Sequence, residues 1–239
     1  MHTIDNKNDI SSLGFCVINN IYSACDIDDI LDAIKTAGNK PSTFRKSDDL
    51  FAIRQFLKMV PDVRSIILND NLKKIIREIF SDTYFVVKSI YFDKPSKSNW
   101  FVPWHQDLTI SVNQKKEVKG YGPWTIKQNQ FAVKPPTHIL KDNFTIRIHL
   151  DDADAENGAL KVLPASHLKG VYRTDGISWI NEKAHTCCVN AGGIMIMRPL
   201  MMHASDRTVN NKPRKVIHIE FSRSVLPDGI DWSEKLCFF

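Results

Sequence analysis

The chain has 239 residues, 43% hydrophobic and 25% charged, with a formal net charge of +5, which fits a soluble globular protein able to bury a core. Its basic residues are scattered, with short pairs at Lys73-Lys74 and Lys115-Lys116, too sparse for a nucleic-acid-binding stripe, and no apolar run is long enough for a membrane span or a secretory signal. The five cysteines, an odd number without a Cys-x-x-Cys pair, read as reduced thiols of a cytoplasmic protein and not as a disulfide framework.

The first elements are mainly helical, over about residues 20–80. Gly14 to Ile18 is a short apolar run that predicts a strand. Ser23 to Ala37 carries Ile27, Ile30, Leu31 and Ile34 at helical spacing, and Gly38 follows as a stop. Ser47-Asp48-Asp49 resembles a helix start, with Leu50, Ile53 and Leu57 behind it. Asp70 to Phe80 repeats the helical pattern through Leu72, Ile75, Ile76 and Ile79.

From Tyr84 the composition turns to strand. Tyr84 to Phe92 is rich in β-branched and aromatic residues, and Trp104 to Val112 predicts a second strand. Residues 113–143 contain Gly120, Gly122, Pro123, Pro135 and Pro136, which predicts a long irregular segment. Such loops are uncommon unless they serve a function. The aromatic residues Tyr121, Trp124 and Phe131 argue against disorder, so the segment reads as a lid. Three more strands follow, Phe144 to Leu150, Gly193 to Arg198 and Lys215 to Phe221. The acidic run from Asp151 to Gly158 lacks the spacing of a calcium loop and reads as a solvated turn.

Two of these strands alternate in a telling way. Thr145, Arg147 and His149 share one face, as do Arg214, Val216, His218 and Glu220, while the opposite faces are apolar. Arginine and histidine on one side of a strand need water or a polar cavity there. Arg147 is thereby a candidate for holding an acidic substrate or cosubstrate.

His105-Gln106-Asp107 carries the chemistry. On a strand, residues i and i+2 point the same way, so one imidazole and one carboxylate can converge on an ion. His203, at the end of a β segment, can supply the third ligand from elsewhere in the fold. Two imidazoles and one carboxylate hold one face of a divalent ion and leave the other open, as in non-haem Fe(II) oxygenases. Arg214 opens the final apolar strand, and its guanidinium matches a carboxylate in bidentate fashion. With the Ser205 hydroxyl, it suits a dicarboxylate whose other end chelates the metal.

Three segments resemble the phytanoyl-CoA dioxygenase-like family of Fe(II)/2-oxoglutarate oxygenases. They are Val102-Pro-Trp-His-Gln-Asp107, Asn157 to His167 with its Gly-Ala-Leu-Lys-Val-Leu-Pro-Ala-Ser-His block, and His203-Ala-Ser205 through Arg214. The resemblance extends over roughly Gly14 to Leu226. It implies a mainly β chain with flanking helices (α+β), built on a double-stranded β-helix (jelly-roll, cupin-like) core over about 84–226, with the lid at about 113–143, all in one domain spanning 1–239. It implies Fe(II) on His105, Asp107 and His203, and 2-oxoglutarate on Arg214 with help from Ser205. O2 is the further cosubstrate, and a small-molecule metabolite is the substrate. Related halogenases carry a small residue at the carboxylate position, so Asp107 places this chain nearer the hydroxylating branch. Tyr91 is a further candidate donor to 2-oxoglutarate, and Trp124 and Tyr121 are candidate covers for the substrate. His167 reads as a structural turn residue. The rival readings are a Zn(II)-dependent hydrolase, which lacks an accompanying general base here, and a non-catalytic metal- or ligand-binding module on the same fold.

Overall fold

The computed structural model describes residues 3–37, 44–46, 51–95, 101–127 and 130–239. Six α-helices are present among them: α1 (Thr3–Ser12), α2 (Ala24–Ala37), α3 (Phe56–Met59), α4 (Arg64–Ile67), α5 (Asp70–Ile79) and α6 (Thr137–Asp142). The strands are β1 (Phe15–Ile18), β2 (Phe44–Lys46), β3 (Phe51–Arg54), β4 (Phe85–Lys94), β5 (Val102–His105), β6 (Ile110–Val112) and β7 (Trp124–Lys127), followed by β8 (Gln130–Val133), β9 (Phe144–His149), β10 (Leu160–Val162), β11 (His185–Thr186), β12 (Ile194–Met197), β13 (His203–Ser205) and β14 (Arg214–Ser222).

The strands form a seven-stranded sheet in the order β1-β12-β9-β14-β4-β3-β2, a four-stranded sheet in the order β11-β10-β13-β5, and a small sheet β6-β8-β7. The named pairings are antiparallel. The jelly-roll expectation holds, and its cause is period-two alternation. On the large sheet Ile146, Ile148, Ile194, Ile196, Ile217 and Ile219 point outward. They pack with Ile30 and Ile34 of α2, Ile67 of α4, and Leu72 and Ile76 of α5. The intervening Met195 and Met197 point inward and meet Leu160, Val162 and Met201 of the smaller sheet's side. Removing one such buried methyl cluster, as in Ile→Ala, costs about 2–5 kcal/mol.

The helices begin where the sequence provides caps. The Ser23 amide donates to Asp26 Oδ2 at 2.7 Å and the Asp26 amide donates to Ser23 Oγ at 3.1 Å, a reciprocal capping box at the start of α2. Asn69 Oδ1 accepts from the Leu72 amide at 3.0 Å at the start of α5.

Three local expectations are corrected. Residues 51–54 form a strand and not the start of a helix. The spacing of Leu50, Ile53 and Leu57 suits either state, and pairing of Ile53 with both Phe44 and Tyr91 decides it. Gln55 then sits in the left-handed region, φ 51°, and the short helix α3 follows; Ser47 to Asp49 lie outside the described residues. The span Trp104 to Val112 is two strands in different sheets, β5 and β6, because the chain leaves the barrel wall after His105. Residues 113–143 are only partly irregular: 113–123 form no helix or strand, but β7, β8 and α6 lie within the rest. Their apolar side chains share a cluster with Leu226, Ile230 and Trp232 of the C-terminal segment.

Candidate metal centre

His105 and His203 are brought opposite each other by the antiparallel pairing of β5 with β13. Their ring centroids are 4.2 Å apart. Asp107 lies just past the end of β5, with Oδ1 3.9 Å from His105 Nε2 and Oδ2 3.7 Å from His203 Nε2. One ligand atom from each of the three lies within 4.8 Å of the others.

The imidazoles are aimed by the backbone. His105 Nδ1 donates to the Pro103 carbonyl at 2.8 Å, and His203 Nδ1 donates to the Met201 carbonyl at 3.0 Å. A proton fixed on Nδ1 leaves the Nε2 lone pair free for a cation. Burial lowers the His203 pKa to about 4 against the opposing pull of Asp107, so the ring is neutral at physiological pH. Burial pushes the Asp107 carboxyl up, but the neighbouring His203, Lys88, His218 and His105 outweigh it and hold it at about 2. Two imidazole nitrogens and one carboxylate on a common point suit a divalent first-row ion with its remaining positions open.

Gln106, between the two ligands, points the other way. Its Nε2 donates to the Gly170 and Leu200 carbonyls at 2.8 and 2.7 Å, and its Oε1 accepts from the Tyr172 amide at 3.1 Å. One buried amide thus ties the ligand-bearing segment to two loops.

The triad opens into a cavity of about 200 Å³ walled by β4, β9 and β14 on one side and β5, β10 and β13 on the other. The inward face of β4 presents Lys88, Ile90, Phe92 and Lys94 in steps of two. Arg214 pairs with Lys94 across the ladder, and Arg147 pairs with His218. At this far end Lys94 Nζ donates to Ser205 Oγ at 3.3 Å. The Arg214 guanidinium donates to the Gly158 carbonyl. Gly158 has φ +75°, and a Cβ there would collide with the Asp206 carbonyl, so glycine is what lets this carbonyl approach.

Charge at this end is lopsided. Burial lowers the Lys94 pKa to about 7, and Arg214 and Arg147 add to the effect. Burial and Arg147 likewise lower Arg214. Arg147 Nε and both ring nitrogens of the buried His149 have no hydrogen-bond partner among the described residues. Asp107 is the one carboxylate among the described lining residues. Near it, Lys88 Nζ donates to Glu220 Oε1 at 2.5 Å and His218 Nε2 donates to the same oxygen at 3.1 Å. An anion is the natural complement of the Lys94–Arg214 end.

The sequence-derived candidates divide accordingly. His105, Asp107, His203, Ser205, Arg214 and Arg147 line one cavity. Tyr91 does not. It alternates with Ile90 and Phe92, so it faces outward into the main core, 2% exposed, with its hydroxyl toward Asp93 at 3.5 Å. Trp124 and Tyr121 also fall elsewhere, packed into the small cluster around Trp232. His167 sits apart in a 3-10 turn, 3.3 Å from the Ser11 carbonyl. Sequence reasoning missed Lys94, whose signal was the continued alternation of β4 past Phe92, and Lys88, which has the same parity. The acidic turn is a structural device: Asp154 Oδ1 accepts from the amides of Glu156 and Asn157. All five cysteines are free, with Cys187 buried and its neighbour Cys188 exposed. No helix among the described residues is long and apolar enough to cross a membrane.

Comparison with known proteins adds three findings. The family model described as Phytanoyl-CoA dioxygenase (PhyH) matches residues 11–216. No curated protein matches the chain. Similar solved structures include the non-haem α-ketoglutarate-dependent epimerase SnoN from nogalamycin biosynthesis, with TM-score 0.68 and 14% identity over 98% of this chain and 94% of that one. The carbocyclase SnoK from the same biosynthesis gives TM-score 0.64 and 15% identity over 91% and 82%. EctD from S. alaskensis gives TM-score 0.70 and 16% identity over 91% and 76%. At these identities the likeness establishes the fold.

Proposed function

This chain belongs to the phytanoyl-CoA dioxygenase family, and on that footing we propose that it is an Fe(II)- and 2-oxoglutarate-dependent dioxygenase that hydroxylates a small-molecule metabolite. The carrying observation is the adjacency of two complementary demands in one cavity. Two imidazoles and Asp107 converge within 4.8 Å, and Lys94, Arg147 and Arg214 gather beyond them. One end calls for a cation and the other for an anion, which is what a metal-chelating dicarboxylate satisfies together.

In this reading His105, Asp107 and His203 would hold Fe(II). When bound, Fe(II) with 2-oxoglutarate and O2 supplies the oxidising chemistry, with succinate and CO2 released. The chain's own residues bind, orient and exclude water. Arg214 takes the distal carboxylate in its fork, Ser205 adds a hydroxyl donor, and Lys94 completes a second charged contact. Arg147 presents a buried guanidinium with an unsatisfied Nε to the same space. Phe92, Val102, Leu160 and Val216 line the channel between the two ends; their apolar surface keeps bulk water from competing for these charged groups. Lys88, Glu220 and His218 form a closed charge network beside Asp107, which fixes that carboxylate's surroundings. The whole chain, 1–239, acts as one oxygenase domain.

The similar structures named for α-ketoglutarate-dependent epimerisation and carbocyclisation share this fold, so the reaction type is read from the product. The test is anaerobic addition of Fe(II) and then 2-oxoglutarate to the purified chain. A visible charge-transfer band is expected with Fe(II) and none with Zn(II), and admitting O2 gives succinate. Binding of Zn(II) with hydrolytic activity and no such band would replace the oxygenase reading.

A further inference from the structure

Away from the triad, a cavity of about 320 Å³ lies between α1, the end of α6, the 3-10 turn Ser166–Lys169 and the turn after β12. That volume is at the lower end of those that take small ligands. It has no described lining residue in common with the triad cavity, and its chemistry is independent of the oxygenase reading. We propose that it is a second ligand site, selective for a small aliphatic carboxylate, with Arg198 as the anchor and Lys141 at the rim.

The walls are aliphatic and tied together. Ile10, Leu140 and Leu200 line the cavity and are buried, and Leu168 is exposed at its edge. The Ala165 amide donates to the Leu13 carbonyl at 2.7 Å and the Arg198 amide to the Gly14 carbonyl at 2.9 Å, while the Arg198 carbonyl accepts from the Met201 amide at 3.1 Å. The anchor's backbone is thus held on both sides. His167 Nε2 donates to the Ser11 carbonyl at 3.3 Å, and a Cβ on Gly14 would collide with His167 Nδ1. This ring therefore closes the wall between α1 and the turn, and its nitrogens are turned to the protein. A compact aliphatic body suits such a lining.

Charge supplies the selectivity. No carboxylate stands among the described lining residues. Arg198 is partly buried, and its guanidinium carbon lies 5.3 Å from the centroid of the Phe80 ring, which is itself stacked on Phe144 at 3.7 Å. Stacking occupies the face of a guanidinium and leaves its N–H edge for an acceptor; among the described residues no acceptor bonds that edge. The neighbouring carboxylate, Asp142, is engaged elsewhere. Arg223 Nε donates to its two oxygens at 2.9 and 3.0 Å, and the Ser224 hydroxyl donates to it at 3.3 Å. Burial lowers the Arg198 pKa, Tyr84 and Asp142 oppose that, and Arg223 adds to it. A ligand carboxylate answers the N–H edge with two parallel charge-assisted bonds. Lys141, exposed in the last turn of α6, adds a second positive charge, which a cationic ligand would oppose.

The test uses cyclohexanecarboxylate, cyclohexanecarboxamide and cyclohexylmethylamine, close in size and different in charge. Each is titrated by ligand-observed NMR into the full chain and into its Arg214→Ala variant, in which carboxylate binding at the triad cavity is weakened. The carboxylate is expected to bind at least about tenfold more tightly than the amide in both, with the amine weakest. Arg198→Gln is expected to erase that preference, with folding checked by thermal melting, and Arg198→Lys to keep part of it. A preference that survives Arg198→Gln, a preference lost in Arg214→Ala, or tightest binding by the amine overturns the proposal. So does a carboxylate that fails to bind at concentrations up to about 10 mM. If Arg198→Gln does not fold, charge reversal at the exposed Lys141 decides: Lys141→Glu is expected to weaken the carboxylate about fivefold and leave the amide unchanged, and an unaltered carboxylate affinity overturns the site equally.

Discussion

The two ends of the triad-lined cavity store charge of opposite sign. At the triad a carboxylate held at about 2 faces two imidazoles. At the other end Lys94, Arg147 and Arg214 crowd together, each pushed toward its neutral form by burial. Neither end is self-sufficient. Gathering Lys94, Arg147 and Arg214 in a half-buried cleft favours an anionic occupant there, and a carboxylate beside two imidazoles favours a cation. The difference teaches how one small space recruits two partners in a fixed orientation, each end rejecting the partner meant for the other.

The largest effect comes from removing the attraction for a cation. His203→Ala or Asp107→Ala is expected to abolish Fe(II) binding and succinate formation, checked by anaerobic metal titration and product assay. Turnover retained in either variant would dissolve the contrast between the ends. Next is Arg214→Ala, which leaves the triad intact and deprives the dicarboxylate of its fork. The 2-oxoglutarate requirement is expected to rise about 10- to 100-fold with Fe(II) affinity unchanged, measured by charge-transfer titration; an equal loss of metal affinity would mean the ends are not separable. The smallest effect sharpens the comparison through pH. In the ligand-free protein Lys94 titrates at about 7 instead of its ordinary 10.5. The unfolded chain keeps that proton up to about 10.5 while the fold has already released it, so its contribution to stability rises with pH through that window. Ligand binding has the opposite sign. The dicarboxylate prefers the ammonium form, so binding takes up a proton above pH 7 and affinity falls as pH rises. Lys94→Met is expected to flatten that slope and to weaken binding at pH 6 by about tenfold. A pH profile identical to that of the unsubstituted chain would remove Lys94 from the dicarboxylate's surroundings.

How much of this was legible in the sequence depends on how local the determinant is. His105 and Asp107 stand two apart on an extended chain, so their shared direction needs no tertiary knowledge. Arg147 and Arg214 were legible for the same reason, from alternation within their own strands. Tyr91 shows the limit. Its strand was evident, but which parity faced inward is fixed by the registry with Ile217 and Ile53, pairings far away in the chain. Counting two from Lys94 gives Phe92, Ile90 and Lys88 and leaves Tyr91 outside. The residues around Ile53 failed likewise: a spacing that suits a helix became β3 because the edge of a sheet was available to it. The segment at 113–143 looked irregular because its glycines and prolines punctuate short strands, and its cluster is completed by Leu226, Ile230 and Trp232, about a hundred residues on. Lys94 was hidden by an end-of-strand lysine's resemblance to ordinary solvent-facing charge.

The hydrogen bonds from His105 and His203 to the carbonyls of Pro103 and Met201 join each imidazole to the backbone two residues earlier. Each ring is therefore steered by its own stretch of main chain and asks nothing of any other side chain for its aim. Wall residues can change in size, polarity or charge while the lone pairs stay on target. A scaffold with this property lets new specificities be tried at little risk to the metal, and such tolerance suits a fold that persists at 14–16% identity across the similar structures.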